Sequence, residues 1–520
     1  MELELSKGFG KQLAIIVFLQ LFLLGACSKP PSQTTQSALN ILAPIDQTWY
    51  AELSSVEKFR MYNRLLGVLY KGESTSIFFK TNGSPQTLTP QYQENHIRLV
   101  QTRLSTASVY MAQQINDAKQ RFFTDNQGQV RYAPLEAPLA YMYSMDLSKE
   151  YFDYWIAYQL VNSIMFSPAL ELASVDMTDV EKVYSRLVQA IATDQSIKEI
   201  VYDHMITQEN WRRFRSPEDN VREMMEIFLH HFVDEDVVDA AFICRNWYLT
   251  EAEQNYQLSK NLEFSNQVLQ MFGRSDIQTC ENLYRAMVEY QSFLPSVYWH
   301  IVTGLMPTIS DDKKKQIVAE LASQSFSSFR EVYTALIFSK SFLLENSYVK
   351  RFEENLFSVA ARIEWSPNGI FFNYLTRTNL DATQDARNLY QMQQMPMYYK
   401  LGRNDNYSND SASFAFMSSG LRYYLFHNVA SQMGGSQTAW SPEFVNKADV
   451  KSLSDDDFIH YVFLNTLLRT AGQDELTELK KTIVDARING YEQLKAKLLF
   501  DYVSSLPEFF AVAEVKHATP

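Results

Sequence analysis

Apolar residues recur at helical spacing through most of this chain, and few residues interrupt the pattern. Apolar side chains three or four positions apart lie on one face of an α-helix, where they can be buried together. Glycine and proline, which end helices, number only 16 each among 520 residues, below their typical shares of about 7% and 5%. The sequence therefore predicts an all-α fold, a large multi-helix globular body. The first clear example is "VEKFRMYNRLLGVLY", with Val56, Phe59, Leu65, Leu66 and Leu69 on one face.

Two short segments depart from helical spacing and favour β-hairpins. The segment "IFFKTNGSPQTL", residues 77–88, has an Asn-Gly turn between β-favouring flanks. The segment "RFFTDNQGQVRY", residues 121–132, likewise has polar turn residues between β-favouring flanks. An Asn-Gly pair is a strong hairpin signal because both residues tolerate a positive φ. One or two small hairpins are therefore expected on the helical body.

The N-terminus has the features of a bacterial lipoprotein signal. Lys7 and Lys11 precede the apolar run "LAIIVFLQLFLL", which is shorter than the ~20 residues of a membrane-spanning helix and fits the core of a secretory signal. The following "LGAC" matches the lipobox, in which a cysteine receives a diacylglycerol and becomes the new N-terminus. The sequence predicts a signal peptide over residues 1–26 and lipid attachment at Cys27. The alternative is an ordinary cleaved signal with an incidental cysteine.

A polar segment follows the predicted lipid attachment site. Residues 27–40, "CSKPPSQTTQSALN", have the composition of a flexible tether. Two or three acyl chains such as palmitate anchor a protein firmly, because each buried methylene adds about 0.8 kcal/mol of membrane affinity. Ser28 after the cysteine favours the outer membrane over the inner one. The predicted location is the bacterial cell envelope, facing the periplasm or the cell surface.

Charge and motifs exclude several classes of function. The formal net charge is −13, and no stretch gathers Lys and Arg into a basic stripe, so a nucleic-acid partner is not expected. The chain also has no His-Glu-x-x-His, Gly-x-Ser-x-Gly, Walker or Gly-x-Gly-x-x-Gly motif. No cofactor and no catalytic residue is predicted.

Two cysteines, Cys244 and Cys280, remain after the predicted lipid attachment site. An exported protein experiences an oxidising compartment, in which such a pair can form a disulfide. Two separate buried thiols are equally compatible with the sequence.

The predicted body has two parts. Residues 41–400 form the main helical body, the polar run "LGRNDNYSNDSAS" at 401–413 is a loop, and residues 414–520 form a C-terminal helical region. Asn, Asp, Ser and Gly are the residues that favour loops over helices.

Residues 216–247, "SPEDNVREMMEIFLHHFVDEDVVDAAFICRNW", combine many reactive side chains in a helical pattern. Ser216 and Asp219 form a capping box with Pro217 at the first helical position, which predicts a helix start there. A second helix begins at the acidic "DEDVVDAAF", since a helix N-terminus favours carboxylates. The first helix is expected to bury one face formed by Val221, Met224, Met225, Phe228, Leu229 and Phe232.

Glu226, His230 and His231 raise the alternative of a metal site. A glutamate and a histidine four residues apart can share a metal, but a di-metal helical bundle requires two Glu-x-x-His helices. Only Glu514 and His517 have that spacing. We therefore expect no metal site, and we interpret the histidines as a helix-terminal pair stabilised by the helix dipole.

The same segment resembles the domain-of-unknown-function family 1800 of exported bacterial proteins. That family carries E-N-[FY]-A-R-E-[LV]-M-E-L-F-T-L-G and, after a short gap, D-V-x-E-x-A-R-x-x-T-G-W. The resemblance covers about residues 150–345 and implies an exported, mainly helical protein of unestablished activity. The matching residues are Arg222, Glu223, Met225, Glu226 and Phe228, then Asp236, Val237, Ala241 and Trp247.

This chain departs from the family pattern at its histidines. Ile156 and Tyr158 stand where the family has the two histidines of F-W-H-N-H-F, and Tyr290 with Gln291 replaces a common His-Pro pair. A metal or acid–base function of those histidines would therefore be lost here. Arg222 and Glu223 match the family motif, and they are expected to form a buried structural ion pair.

Two functional hypotheses follow from these patterns. The first is a lipid-anchored envelope protein that binds a partner protein or glycan as a scaffold or assembly factor. The second is an envelope hydrolase that acts on glycan or peptide through a carboxylate pair. A broad apolar patch would favour the first, and two close carboxylates in an aromatic cleft would favour the second.

Overall fold

A computed structural model describes most of the predicted helical body. The described residues are 41–74, 96–124, 128–129, 137–161, 163–165, 177–252, 255–261, 267–350, 352–364, 450, 452–490 and 495–512. The described residues belong to one compact unit. The predicted signal peptide, the tether with Cys27, the 77–88 hairpin and the 401–413 loop lie outside the described residues.

The described residues are mainly helical, which confirms the predicted all-α fold with small hairpins. A five-residue π-helical turn, Ser341–Glu345, follows the fifteenth α-helix. The α-helices are α1 (Gln47–Glu52), α2 (Ser55–Val68), α3 (His96–Ser105), α4 (Met111–Phe123), α5 (Ala137–Ser144), α6 (Lys149–Val161), α7 (Met177–Ala192), α8 (Ile197–Met205), α9 (Gln208–Arg213), α10 (Pro217–Leu229), α11 (Asp234–Ile243), α12 (Cys280–Glu289), α13 (Phe293–Leu305), α14 (Asp311–Ser323), α15 (Phe329–Ile337), α16 (Phe352–Arg362), α17 (Asp455–Leu467), α18 (Gln473–Ile488), α19 (Lys495–Val503) and α20 (Pro507–Phe510).

Serine caps fix where several of these helices begin. The hydroxyls of Ser54 and Ser328 each accept a hydrogen bond from the backbone N–H three residues later. In return, the carboxylates of Glu57 and Glu331 accept from the backbone N–H of the serine. Such reciprocal bonds satisfy backbone donors that have no partner within the helix.

The described residues also form three small antiparallel sheets, each of two strands. The strand bounds are β1 (Trp247–Ala252), β2 (Asn255–Lys260), β3 (Leu269–Met271), β4 (Arg274–Ile277), β5 (Tyr348–Val349) and β6 (Ala511–Val512). The pairs are β1 with β2, β3 with β4 and β5 with β6. The first two pairs are hairpins that lie between α11 and α12.

The prediction of a strand at the start of residues 121–132 was wrong. Arg121, Phe122 and Phe123 are the last residues of α4. Phe122 is buried with Ala118 one helical turn earlier, so burial on a helix face outweighs the β-favouring aromatic pair.

Helix α6 runs through the centre of the core. Most of its side chains are buried, including Trp155, Ile156 and Tyr158. A helix that is apolar on all sides needs neighbours on all sides. Trp155 is met by Phe152 in a stacked arrangement and by Tyr333 of α15 edge-on.

Helices from both sides of the predicted 401–413 loop pack together. The Arg362 guanidinium of α16 donates to the backbone carbonyl of Asn465 in α17 at 2.7 Å. Both residues are buried. The helices after the loop are therefore joined to the main body by core contacts.

Candidate functional site

Helix α10 begins as its sequence predicts. The Ser216 hydroxyl accepts from the Asp219 N–H at 3.1 Å, and Pro217 is the first helical residue. The expected face is buried along the whole length of the helix, through Val221, Met224, Met225, Phe228 and Leu229.

Phe232 does not continue that buried face, so this part of the prediction was wrong. The helix ends at Leu229, and His230 adopts a left-handed conformation with φ 50°. The left-handed residue turns the chain away from the helix axis. Phe232 consequently lies outside the core and is 68% exposed.

Arg222 and Glu223 do not form the expected buried ion pair. The Arg222 guanidinium binds Glu218 at 3.2 Å and also Asp234, at the protein surface. Glu223, the residue after Arg222, is half-buried. Burial raises the pKa of the Glu223 carboxyl, and the nearby positive charge of Arg213 opposes that rise. Arg222 therefore fastens the first turn of α11 to α10, because Asp234 opens α11.

The histidines of this segment each face a different neighbour. The Nε2 atoms of His230 and His300 lie 3.1 Å apart, and Nε2 of His231 lies 2.6 Å from Asp236 Oδ2. Glu226 is half-buried on α10. In the part of the chain that the structure describes, no group of three His, Cys, Asp or Glu side chains is arranged to hold a metal ion.

Cys244 and Cys280 are joined by a disulfide. Cys244 follows the last residue of α11, and Cys280 is the first residue of α12, with 4.6 Å between their Cα atoms. Both are buried. The bond closes a 36-residue separation that contains both hairpins.

Trp247, the last of the family-motif residues, is a buried structural side chain. Its ring lies 5.4 Å from the Trp211 ring and 6.2 Å from the Tyr284 ring, and the Lys260 ammonium lies 4.2 Å from its centroid. Large aromatic contacts of this kind fix the start of β1 against the helices.

The outer side of α11 is the feature that sequence reasoning missed. Val237, Ala240 and Ile243 face the core, but Val238 is 59% exposed and Phe242 is 38% exposed. These two residues are four apart and therefore adjacent on the helix surface. Their spacing, out of register with the buried residues, was the signal available in the sequence.

Exposed apolar residues concentrate around this helix. Of the ten large hydrophobic side chains that are exposed among the described residues, six lie between positions 232 and 268. Single exposed hydrophobics are ordinary, whereas a contiguous patch indicates an interaction site. We name the following residues the α11 surface: Phe232, Val233, Glu235, Val238, Asp239 and Phe242.

The α11 surface also carries negative charge. Glu235 and Asp239 have no hydrogen bond or ion pair with any residue that the structure describes, whereas Asp234 and Asp236 are occupied by Arg222 and His231. Arg245 stacks on the Phe242 ring at 3.9 Å. The surface therefore offers apolar contacts beside two carboxylates that have no described ion pair, with one cation, Arg245, at the Phe242 ring.

None of the described helices is long and apolar enough to cross a membrane.

No protein-family model matches this chain, and no curated protein or solved structure is similar to it. The resemblance to the unknown-function family stays a prediction from the motif residues named above.

Proposed function

We propose that this chain is a lipid-anchored protein of the bacterial cell envelope that binds a partner protein through the α11 surface. Its role would be that of a scaffold or assembly factor. The observation that carries the proposal is the exposure of Phe232, Val238 and Phe242 on one short helix and its entry turn. Aromatic side chains such as Phe232 and Phe242 are enriched at the centres of protein interfaces, and contiguous exposed apolar patches mark interaction sites.

Two features support the compartment. The "LGAC" sequence at residues 24–27 provides the lipobox cysteine. The disulfide between Cys244 and Cys280 is of the kind that persists in oxidising compartments outside the cytosol.

The chemistry of the α11 surface favours a protein over a glycan. Val238 and Phe242 present hydrocarbon that gains free energy when a partner covers it. Glu235 and Asp239 lie on the same helix without an ion pair to any described residue, and the Arg245 cation covers the Phe242 ring. The complementary partner is a segment with two or three apolar side chains flanked by Lys or Arg, because matched charges steer association and fix register.

Site-specific crosslinking in cells tests the proposal. A benzophenone amino acid replaces Val238 in the full-length chain, and irradiation is expected to give one dominant crosslinked protein. Mass spectrometry should place the crosslink in an apolar segment with adjacent basic residues. The charge reversals Glu235→Lys and Asp239→Lys together should lower the crosslink yield by about thirtyfold, since two exposed charge pairs at about 1 kcal/mol each contribute about 2 kcal/mol.

A matched position distinguishes binding from exposure alone. Ile488 at the end of α18 is also apolar and is 76% exposed. The same amino acid at position 488 should not give the dominant product. Identical products from the two positions, or a yield that the charge reversals leave unchanged, would refute the proposed docking surface.

A further inference from the structure

A cavity of about 390 Å³ is lined by residues of α3 and α15 and by the first residue of α6. Its volume is within the range of about 300–1,000 Å³ that small-molecule sites occupy. Three lining side chains are cationic: Arg98, Lys149 and Arg330. None of the lining residues that the structure describes is Asp or Glu.

Helical spacing builds the polar walls of this cavity. Arg98, Thr102 and Ser105 occupy positions i, i+4 and i+7 of α3, and Arg330 and Thr334 occupy positions i and i+4 of α15. Side chains at these spacings share one face of a helix. The two helices therefore turn cationic and hydroxyl groups toward the same space.

Arg330 is held mainly by the protein. Its Nε and one terminal nitrogen donate to Asp153 Oδ1 at 3.0 and 2.6 Å, that terminal nitrogen also donates to the Ile191 carbonyl at 2.9 Å, and the other donates to Asp194. These bonds use four of the five N–H groups of a guanidinium. One N–H of Arg330 has no acceptor among the described residues.

Lys149 keeps its full donor capacity. Its Nζ forms an ion pair with Asp194 Oδ2 at 3.9 Å, a separation beyond hydrogen-bond distance, and none of the described residues accepts a hydrogen bond from it. The side chain is only 33% exposed. The amide of Gln101 and the hydroxyl of Thr334 line the same cavity and have no described hydrogen-bond partner.

We propose that this cavity binds the anionic group of a small organic molecule, a phosphate or a carboxylate, with Lys149 as the principal charged contact. Lys149, Gln101, Thr334 and Arg330 supply hydrogen-bond donors, and hydrogen bonds from cationic donors to anions are the stronger kind. Asp153 and Asp194 lie beside these donors as the counter-ions of Arg330, and Asp194 is also the counter-ion of Lys149.

The remaining wall indicates an organic ligand rather than a bare ion. Leu104 and Phe338 are buried side chains that line the cavity. Ligand sites typically combine such apolar contacts with a few polar groups that fix orientation. No residue of the α11 surface lines this cavity, so binding at either site can be tested without the other.

Calorimetric titration of the full-length chain in neutral detergent tests this proposal. The probes are inorganic phosphate, glucose 1-phosphate, glucuronate and a short-chain phosphatidylglycerol, with glucose and a short-chain phosphatidylcholine as probes without net charge. At least one anionic organic probe should bind, and the uncharged probes should not. Lys149→Met keeps the apolar stem and should weaken that binding by about tenfold or more, because a hydrogen bond to a charged group is lost.

Lys481→Met is the matched control, since Lys481 is exposed on α18 and does not line the cavity. It should bind as the unmodified chain does. The double variant Gln101→Leu and Thr334→Val should weaken binding severalfold with the net charge unchanged. Arg330 is left intact because its bonds to Asp153 and Asp194 join α15 to α6 and to the turn after α7.

The probes also distinguish two sources of the anion. Binding of glucose 1-phosphate or glucuronate without competition by the phosphatidylglycerol indicates a soluble or saccharide ligand, and competition indicates a lipid headgroup. Either result supports an anion site. The proposal fails if no anionic probe binds at millimolar concentration, or if Lys149→Met and Lys481→Met have equal affinities.

Discussion

At the residue scale, two buried histidines set an acid limit on the fold. Burial lowers the pKa of His96 to about 4, and it lowers the pKa of His204 well below the ordinary value, with Arg186 and Arg213 adding to the effect. Between pH 6.5 and 4 the unfolded chain therefore binds protons that the folded chain excludes. The stabilising effect of neutral burial is complete above pH 6.5 and is lost as the pH falls.

The predicted result is a slope in the free energy of unfolding. Each of the two histidines should contribute about 1.4 kcal/mol per pH unit below pH 6.5, down to its folded pKa. Asp153 acts in the opposite direction, because burial raises its pKa to about 6 and its protonation favours the folded chain. The measured slope of the whole protein is therefore a sum of opposing groups.

A variant isolates the histidine contribution. Urea unfolding at several pH values should give His96→Gln a slope that is flatter than that of the unmodified chain by about 1.4 kcal/mol per unit between pH 6 and 5. Only slopes are compared, so a uniform loss of stability in the variant does not count. Parallel curves for the two proteins would mean that His96 is already protonated in the fold.

Single-residue roles were the least predictable part of the sequence. Phe232 fits the apolar spacing of α10 but lies after the left-handed His230, which ends the helix. Arg222 is next to Glu223 in sequence, yet its side chain points to Glu218 and Asp234. Neighbours in sequence do not face each other on a helix, whereas Glu218, four residues before Arg222, does. The bond to Asp234 depends on how α11 packs on α10, which spacing alone does not reveal.

At the element scale, helix starts were predictable and strand positions were not. Ser216 and the acids at the start of α11 act through bonds and charges within one turn of the chain, so local sequence suffices. The β3–β4 hairpin turns at Phe272 and Gly273, which both have a positive φ. Gly273 was the available signal, but phenylalanine rarely adopts that conformation, which obscured the turn.

The disulfide connects the two elements that flank these hairpins, and its removal should be measurable. Replacing both Cys244 and Cys280 with alanine should lower the free energy of unfolding by about 3 to 4 kcal/mol, because the unfolded chain is no longer closed into a medium-length loop. Equilibrium urea unfolding measures this change. The unmodified chain with a reductant present should show a similar loss.

The double-alanine variant is its own control for the reductant. Its unfolding curve should be the same with and without reductant, which separates loss of the bond from other effects of the reagent. A reductant that leaves the unmodified chain unchanged would show that Cys244 and Cys280 are not bonded in the isolated protein.

At the scale of the whole molecule, the fold class followed from composition and spacing, whereas the candidate sites did not. Glycine and proline are sparse and helical periodicity recurs through most of the sequence. These two signals together were sufficient to predict an all-α body. The cavity brings together Arg98, Lys149 and Arg330 from three separate helices. No local pattern links Arg98 to Arg330, which are 232 positions apart, and only packing places them on one surface.

The lipid anchor is the remaining whole-molecule prediction, and Cys27→Ala tests it. With an alkyne analogue of palmitate supplied to the cells, the unmodified chain should incorporate the label and lose residues 1–26, whereas the variant should do neither. Membrane sedimentation alone does not decide the matter, because an uncleaved variant keeps the apolar run at residues 13–24. Label incorporation and mature mass are therefore the discriminating measurements.

The double-alanine variant of Cys244 and Cys280 supplies the matched control for acylation. It removes two cysteines and keeps the lipobox, so it should incorporate as much label as the unmodified chain. Label on Cys27→Ala would place the acyl chain elsewhere, and an unlabelled, cleaved unmodified chain would indicate an ordinary secretory signal. A labelled chain would confine the α11 surface near a membrane, where a modest affinity for a membrane partner suffices because the tether raises the local concentration.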